Sequence, residues 1–439
     1  MPKNCYIFNM KQCDFLRKKH PKFIYRNFAI NREGNSLKVR FNFHLEPDLD
    51  FHPEISILNI PEPRLGKIGG RALQNFAFHC GLSEMTSYWK TACSPEIVIE
   101  AGYLNKEQIR WWKDLFIRGM GQFFYENKID FRAPKFLTMR AVEIETSQRH
   151  SNILQNVRMS GNSIFGGKLN DSYLVPMAGG RDSIVGAELL KKRGNSFNSF
   201  SVNPSREAKA VIKIAGIKNP IIVRRKVDPA LLKLNKKGYL NGHTPLTSVL
   251  SFLAVFCAAL FDFKYVAFSN EKSADEGNLK YLGREINHQY SKSSEFEKKF
   301  AAYVKKYLAE SINYFSLLRP YTDLEISRMF LKHPKYFNSF SSCNRGVKLG
   351  KKWCGECPKC LFVYATLYPF LEKRTMLKIF GGDLFENKKL LPIARALIEP
   401  NRPKPFECVG TKKESREAFR LSRAKTEKNG RVPYLLRSI

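Results

Sequence analysis

Tyr173-Leu174-Val175-Pro176-Met177-Ala178-Gly179-Gly180-Arg181-Asp182-Ser183 is the stretch whose reading decides the fold. Its first five residues form a short apolar run of strand type, and a helix-type pattern follows over 182–192. Between them, two glycines let the backbone turn sharply and approach an anion with no Cβ in the way. A helix that opens behind such a turn offers free N–H groups and a partial positive charge to a phosphate. Asp182 is suited to hold Mg²⁺ and Ser183 to donate to a phosphate oxygen, while Arg181 adds charge. The spacing differs from the Gly-x-x-x-x-Gly-Lys-Ser/Thr loop of kinases and GTPases.

Outward from this loop, strand-type runs at 199–202, 220–225 and 265–269 alternate with helix-type stretches at 204–217 and 245–261. Strand–helix–strand units in series imply a parallel sheet covered by helices, with ligands beyond the carboxyl ends of the strands. The expected fold class is therefore α/β. Residues 166–340 form a Rossmann-like domain with a parallel sheet, and residues 1–165 an N-terminal α+β domain. In the latter, Leu37-Lys38-Val39-Arg40-Phe41-Asn42-Phe43 alternates like a half-buried strand. A helix rich in aromatics spans 106–126. Residues 341–400 read as a Cys₄ zinc-binding helical region, and 401–439 as a basic, turn-rich tail.

Composition narrows the classes. The chain has 439 residues, 43% of them apolar, which suits a folded multidomain protein and excludes whole-chain disorder. No signal-peptide pattern follows Met1, so a cytoplasmic location is expected. The uncharged run 246–261 is shorter than the roughly 20 residues of a membrane span; a buried crossover helix is expected there. The formal charge of +34 is spread along the chain. It reads as a general preference for anionic ligands, with neither a membrane nor a nucleic-acid partner expected.

Ten cysteines without an export signal argue against a disulfide framework. Four crowd together: Cys343, Cys354, Cys357 and Cys360. Two overlapping Cys-x-x-Cys steps with a fourth thiol upstream can surround one tetrahedral Zn²⁺. An Fe–S cluster is the competing ligand.

The loop Ala178-Gly179-Gly180-Arg181-Asp182-Ser183 resembles the PP-loop of ATP pyrophosphatases, Ser-Gly-Gly-x-Asp-Ser. That resemblance implies ATP cleavage to AMP and pyrophosphate. Ala178 replaces the usual serine, and Ser201 and Asn203, at the end of the next strand, complete the expected ATP-binding set. The Cys pattern is similar to the zinc site of PP-loop enzymes that make a deazaguanine nitrile.

Further segments narrow the resemblance: Tyr88-Trp89-Lys90, Cys93-Ser94-Pro95, Asn241-Gly242-His243-Thr244-Pro245, the run from Ser269 to Asn278, Asn287-His288-Gln289-Tyr290-Ser291-Lys292-Ser293, Phe315-Ser316-Leu317-Leu318-Arg319-Pro320 and Lys404-Pro405-Phe406-Glu407-Cys408-Val409-Gly410. Over residues 75–415 the chain resembles bacterial UDP-N-acetylmuramoyl-L-alanyl-L-glutamate epimerases of peptidoglycan synthesis. The family loop carries Gly-Gly-Gly-Lys-Asp-Ser, which leaves the lysine's role to Arg181.

The resemblance implies ATP- and Mg²⁺-dependent inversion of the terminal L-Glu of a UDP-linked muramoyl dipeptide. Adenylation masks the carboxylate, the Cα–H becomes acidic, and a base removes the proton. The candidates for that base are His288, His243, Glu271, Cys343 and Cys408; each has a plainer structural role as its alternative. Glu271 is also a candidate Mg²⁺ ligand. Lys292, Arg319 and Asn270 are the expected substrate anchors. The competing function is a tRNA-modifying or other adenylating PP-loop enzyme.

Overall fold

A computed structural model describes residues 4–142, 165–428 and 430–439. Residues 143–164, which lead up to the boundary read at 165/166, lie outside the described residues.

Thirteen strands are described: β1 (Lys22–Glu33), β2 (Ser36–Leu45), β3 (Leu49–Phe51), β4 (Glu54–Ile57), β5 (Glu96–Ile99), β6 (Thr138–Ala141), β7 (Asn170–Pro176), β8 (Phe197–Val202), β9 (Ile221–Lys226), β10 (Phe263–Phe268), β11 (Leu279–Tyr281), β12 (Arg284–Ile286) and β13 (Asn313–Ser316). Eleven form one sheet in the order β13-β10-β7-β8-β9-β4-β2-β1-β5-β6, with β3 paired to β2. From β13 to β9 every pairing is parallel. Numbered within this half, the order is 5-4-1-2-3, the arrangement of doubly wound sheets whose ligands bind where the order reverses. That reversal lies between β7 and β10.

Helices at Arg181–Lys192, Arg206–Ile214 and Leu246–Phe261 connect the strands. The last is the apolar crossover helix expected from the sequence. Its length of 16 residues is buried along nearly every face, against the helix Gly70–Glu84 and β10. Among the described residues no helix is long and apolar enough to cross a membrane.

The described residues 4–142 do not build a separate sheet. β4 pairs antiparallel with β9, with Ile57 opposite Val223. The N-terminal strands thus extend the parallel half, and one hydrophobic cluster runs from Leu16 through Phe41, Trp112 and Phe252 to Tyr314. The aromatic stretch 106–126 is two helices, Lys106–Gly119 and Gly121–Glu126, broken at Met120.

A second cluster joins the helix Arg181–Lys192 to the C-terminal region, through Ile184, Val185, Phe330, Leu361, Tyr364 and Phe419. The tail corrects the sequence reading. It is a 17-residue helix, Lys412–Lys428, followed by Tyr434–Arg437. Ala418, Phe419, Ser422 and Thr426 are buried, so a charge-rich sequence conceals a packed face.

Candidate active site

Gly179 takes φ +87, and a Cβ there would stand 2.8 Å from the backbone N of Ala208. Only glycine lets the turn after β7 lie against the helix Arg206–Ile214. A Cβ on Gly180 would meet Ser342 Oγ at 3.0 Å. The loop is therefore held between the second helix of the sheet and the segment that leads to Cys343. Ser183 Oγ donates to Gly180 O at 2.9 Å, closing the first turn.

Around this turn lies a buried charged cluster. Arg181, 1% exposed, donates from Nε to Asp182 Oδ1 at 2.8 Å, from Nη1 to Ser327 Oγ at 2.8 Å, and from Nη2 to Asp323. Burial alone would raise the Asp182 carboxyl, but Arg181 and then Lys359 outweigh it and hold it below the usual carboxylate range. Glu271, 4% exposed just beyond β10, faces the same group. Burial, then Asp323 and Asp182, push it up to about 7 against the pull of Lys292 and Lys359.

Lys292 Nζ donates to Cys408 Sγ at 3.1 Å. Burial would lower this lysine, but Cys408 and Glu271 outweigh it and raise it. Lys359, 7% exposed, donates to the carbonyl of Cys408. The segment bearing Cys408 is pinned by Lys404 N to Asn278 O at 3.0 Å and by Asn278 Nδ2 to Pro405 O at 2.7 Å.

Next to Lys292 stand two histidines, with ring centroids 4.3 Å apart. Burial, then His288 and Lys90, push His243 down to about 3. Burial, then Lys292, push His288 down to about 4. Lys90 donates to Asn241 Oδ1 at 2.7 Å and Gly242 O at 2.9 Å. Burial, then Arg225, lower it to about 8. This cluster thus combines neutral imidazoles with ammonium groups, which suits an anionic ligand and proton transfer.

The four clustered thiols lie beside the loop, all within 4.8 Å of one another. Cys343–Cys357 and Cys354–Cys360 are each 3.7 Å apart, and Cys357–Cys360 is 3.5 Å. One tetrahedral zinc with Zn–S of about 2.3 Å needs sulfur–sulfur edges of about 3.8 Å. The backbone N–H groups of Gly346 and Cys360 donate to Cys343 Sγ and Cys357 Sγ at 3.0 and 3.4 Å, which favours thiolates. The cluster can hold a metal ion.

The MurL N-terminal domain matches residues 14–317 and the MurL C-terminal domain residues 339–435. The chain belongs to the MurL family. A relative from Xanthomonas oryzae pv. oryzae, named UDP-N-acetyl-alpha-D-muramoyl-L-alanyl-L-glutamate epimerase, is 33% identical over 85% of this chain and 81% of its own. Relatives of the same name from a Micromonospora strain and from Salinispora tropica are each 34% identical over 80% of this chain, and over 74% and 73% of theirs.

In this MurL-family chain the fold brings Asp182, Glu271, Lys292, Cys408, His243 and His288 into one neighbourhood, with Asn270 buried beside Glu271. Other expected side chains are engaged elsewhere. Arg181 does not present its guanidinium to the loop's open side, because Asp323, Ser327 and Asp182 hold it in the interior. Arg319 binds the carbonyls of Glu271 and Lys292 at 2.7 and 2.6 Å and pairs with Glu297, so it braces the site from behind. Ser201 Oγ donates to Met177 O, and the Asn203 amide bridges to the backbone of Arg225. Cys343 is one of the clustered thiols.

Sequence reading missed Lys359 and Asp323 as parts of the site, and Gln122, whose Oε1 meets His288 Nδ1 at 2.5 Å. A lysine inside a Cys-x-x-Cys step was the available signal for the first. Gln289 was also missed; it is 3% exposed, and neither amide atom has a hydrogen-bond partner among the described residues.

Proposed function

We propose that this chain inverts the terminal L-Glu of UDP-N-acetylmuramoyl-L-Ala-L-Glu to D-Glu in peptidoglycan precursor synthesis, cleaving ATP to AMP and pyrophosphate. The observation that carries this reading is the similarity, over four fifths of the chain, to relatives bearing that epimerase name. The buried cluster at the sheet's reversal point supplies the chemistry the reading needs.

The loop Ala178–Ser183 is the proposed triphosphate site, through backbone N–H groups at the start of the helix Arg181–Lys192. Asp182 and Glu271 are the residues that would hold Mg²⁺, which neutralises phosphate charge when bound. Lys292 and Lys359 stabilise the enolate oxygen that forms when the acyl adenylate loses its Cα proton. Adenylation removes the carboxylate's charge, so the adjacent Cα–H loses its proton more readily. His288, neutral at pH 7 through burial, takes that proton. Cys408, beside Lys292, returns one from the opposite face.

Zinc at the four thiols is structural in this reading. Their spacing supports a single ion over an Fe–S cluster, whose thiolates bind different irons. Lys359 lies between two of these ligands, so a formed cluster fixes its position.

The test is an incubation of the protein with ATP, Mg²⁺ and the UDP-linked L-Ala-L-Glu substrate in deuterated water. AMP, D-Glu on hydrolysis and deuterium at its Cα are expected together. A folded, metal-loaded protein giving neither AMP nor inversion would overturn the reading.

A further inference from the structure

Gln122 carries no role in the chemistry described so far, yet it is 8% exposed and reaches His288. Its Nε2 donates to Glu126 Oε1 at 2.7 Å. A carboxylate only accepts, so the amide's NH₂ must face Glu126 and its oxygen must face the other way. That oxygen, Oε1, meets His288 Nδ1 at 2.5 Å. An amide oxygen also only accepts, so Nδ1 must carry a proton. A neutral imidazole has one N–H, and Nε2 is left with its lone pair.

We infer that Gln122, oriented by Glu126, is a positioning residue that fixes His288 in the tautomer with a bare Nε2, the form able to take a proton. This deepens the proposed function and rests on His288 being its proton acceptor. The break at Met120 makes the arrangement possible. It starts a new helix, Gly121–Glu126, which places Gln122 and Glu126 one turn apart on one face. The His288 backbone is fixed independently, its N donating to Asn278 Oδ1 at 2.7 Å.

The surroundings keep the ring neutral. His243 stands against it, with Lys90 behind; Lys292 and Lys404 face it as cations, Glu407 and Glu126 as acids. Burial and Lys292 dominate and hold His288 near 4. Were it free to choose its tautomer, the ring would place its proton on Nε2 part of the time and lose base function. A histidine in the wrong tautomer can lose up to about 10⁴-fold in catalysis.

The experiment uses the full chain with ¹⁵N-labelled histidine, in wild type, Gln122→Met and Gln122→Glu. Imidazole nitrogen shifts report which nitrogen bears the proton. Wild type and Gln122→Glu, which keeps an acceptor, are expected to show His288 protonated at Nδ1, and Gln122→Met a mixture. In turnover, Gln122→Met is expected to lower Cα–H exchange by about ten-fold or more relative to AMP formation. Gln122→Glu is expected to restore exchange and move its acidic limb to higher pH, because a carboxylate beside Nδ1 favours the charged ring.

Protonation at Nε2 in wild type, or an unchanged tautomer and unchanged exchange-to-AMP ratio in Gln122→Met, would overturn the inference. The tautomer measurement needs no substrate, so it decides this point even if wild type forms no AMP and the function reading fails.

Discussion

The backbone N–H of Ser341 donates to the carbonyl oxygen of Gly179 at 2.9 Å, two residues before the thiol of Cys343. The Gly179–Gly180 loop and the thiol cluster are thus braced against each other, and Ser341 Oγ continues the brace to Lys352 O at 2.6 Å. Structural zinc supplies folding energy to the segment it closes. Cys343→Ser, or chelation, is expected to release the metal and weaken ATP binding by ten-fold or more, on the order of 1.4 kcal/mol. Metal content, followed by nucleotide titration, checks this. ATP affinity unchanged in a metal-free protein would show that the brace does not matter.

Arg181 is expected to act chiefly as a structural ion. Its guanidinium compensates the buried Asp323 and the partly exposed Asp182, and is itself shielded from water. Removing one member of a buried ion network leaves uncompensated charge, at a cost of about 3–5 kcal/mol. Arg181→Met should lower stability by that order in urea titrations. Arg181→Lys should recover only part, since an ammonium cannot replace the planar fork. A stable Arg181→Met variant with weakened ATP binding would instead place the cation at the phosphates.

The contrast between this arginine and its neighbours shows what was legible beforehand. The glycines and the strand–helix alternation follow local periodicity, so residues 170–268 could be laid out from sequence. The direction of the Arg181 side chain could not, because Asp323, its partner, lies 142 residues away. β13 is four residues long and gives no periodic signal. The β4–β9 pairing that fuses the two halves of the sheet is antiparallel and joins strands far apart in the chain. The Cys spacing was legible because short steps constrain thiols locally; Lys359, between them, gains its meaning only from contact with Cys408.

Cys408 is half-buried and receives a hydrogen bond from Lys292, whereas Cys13, Cys80, Cys93 and Cys257 are buried. Alkylation needs a thiol that the reagent can reach, which the partly exposed Cys408 offers and the four buried ones do not. Iodoacetamide should therefore modify Cys408 ahead of those four, and ATP with substrate should protect it. Peptide mapping after brief labelling decides it; labelling of Cys408 no faster than of Cys257 would show that Cys408 is not the reachable thiol.

Glu271 gives a pH signature with a defined sign. Its carboxyl sits at about 7 in the folded protein, above its ordinary value. At low pH it is protonated in both folded and unfolded chains and contributes no difference. As pH rises past about 4.3, the unfolded chain ionises first, so the folded state loses relative stability until about pH 7. Beyond that both states are ionised, and the penalty is constant. Glu271→Gln cannot ionise and escapes it. The variant's stability advantage over wild type should therefore grow between pH 4.5 and 8, by on the order of 1–3 kcal/mol. The same variant should lose AMP formation if the carboxylate holds Mg²⁺. Urea titrations at the two pH values measure the difference directly. An advantage that shrinks as pH rises would mean that Lys292 and Lys359 outweigh burial and that Glu271 is held ionised in the fold.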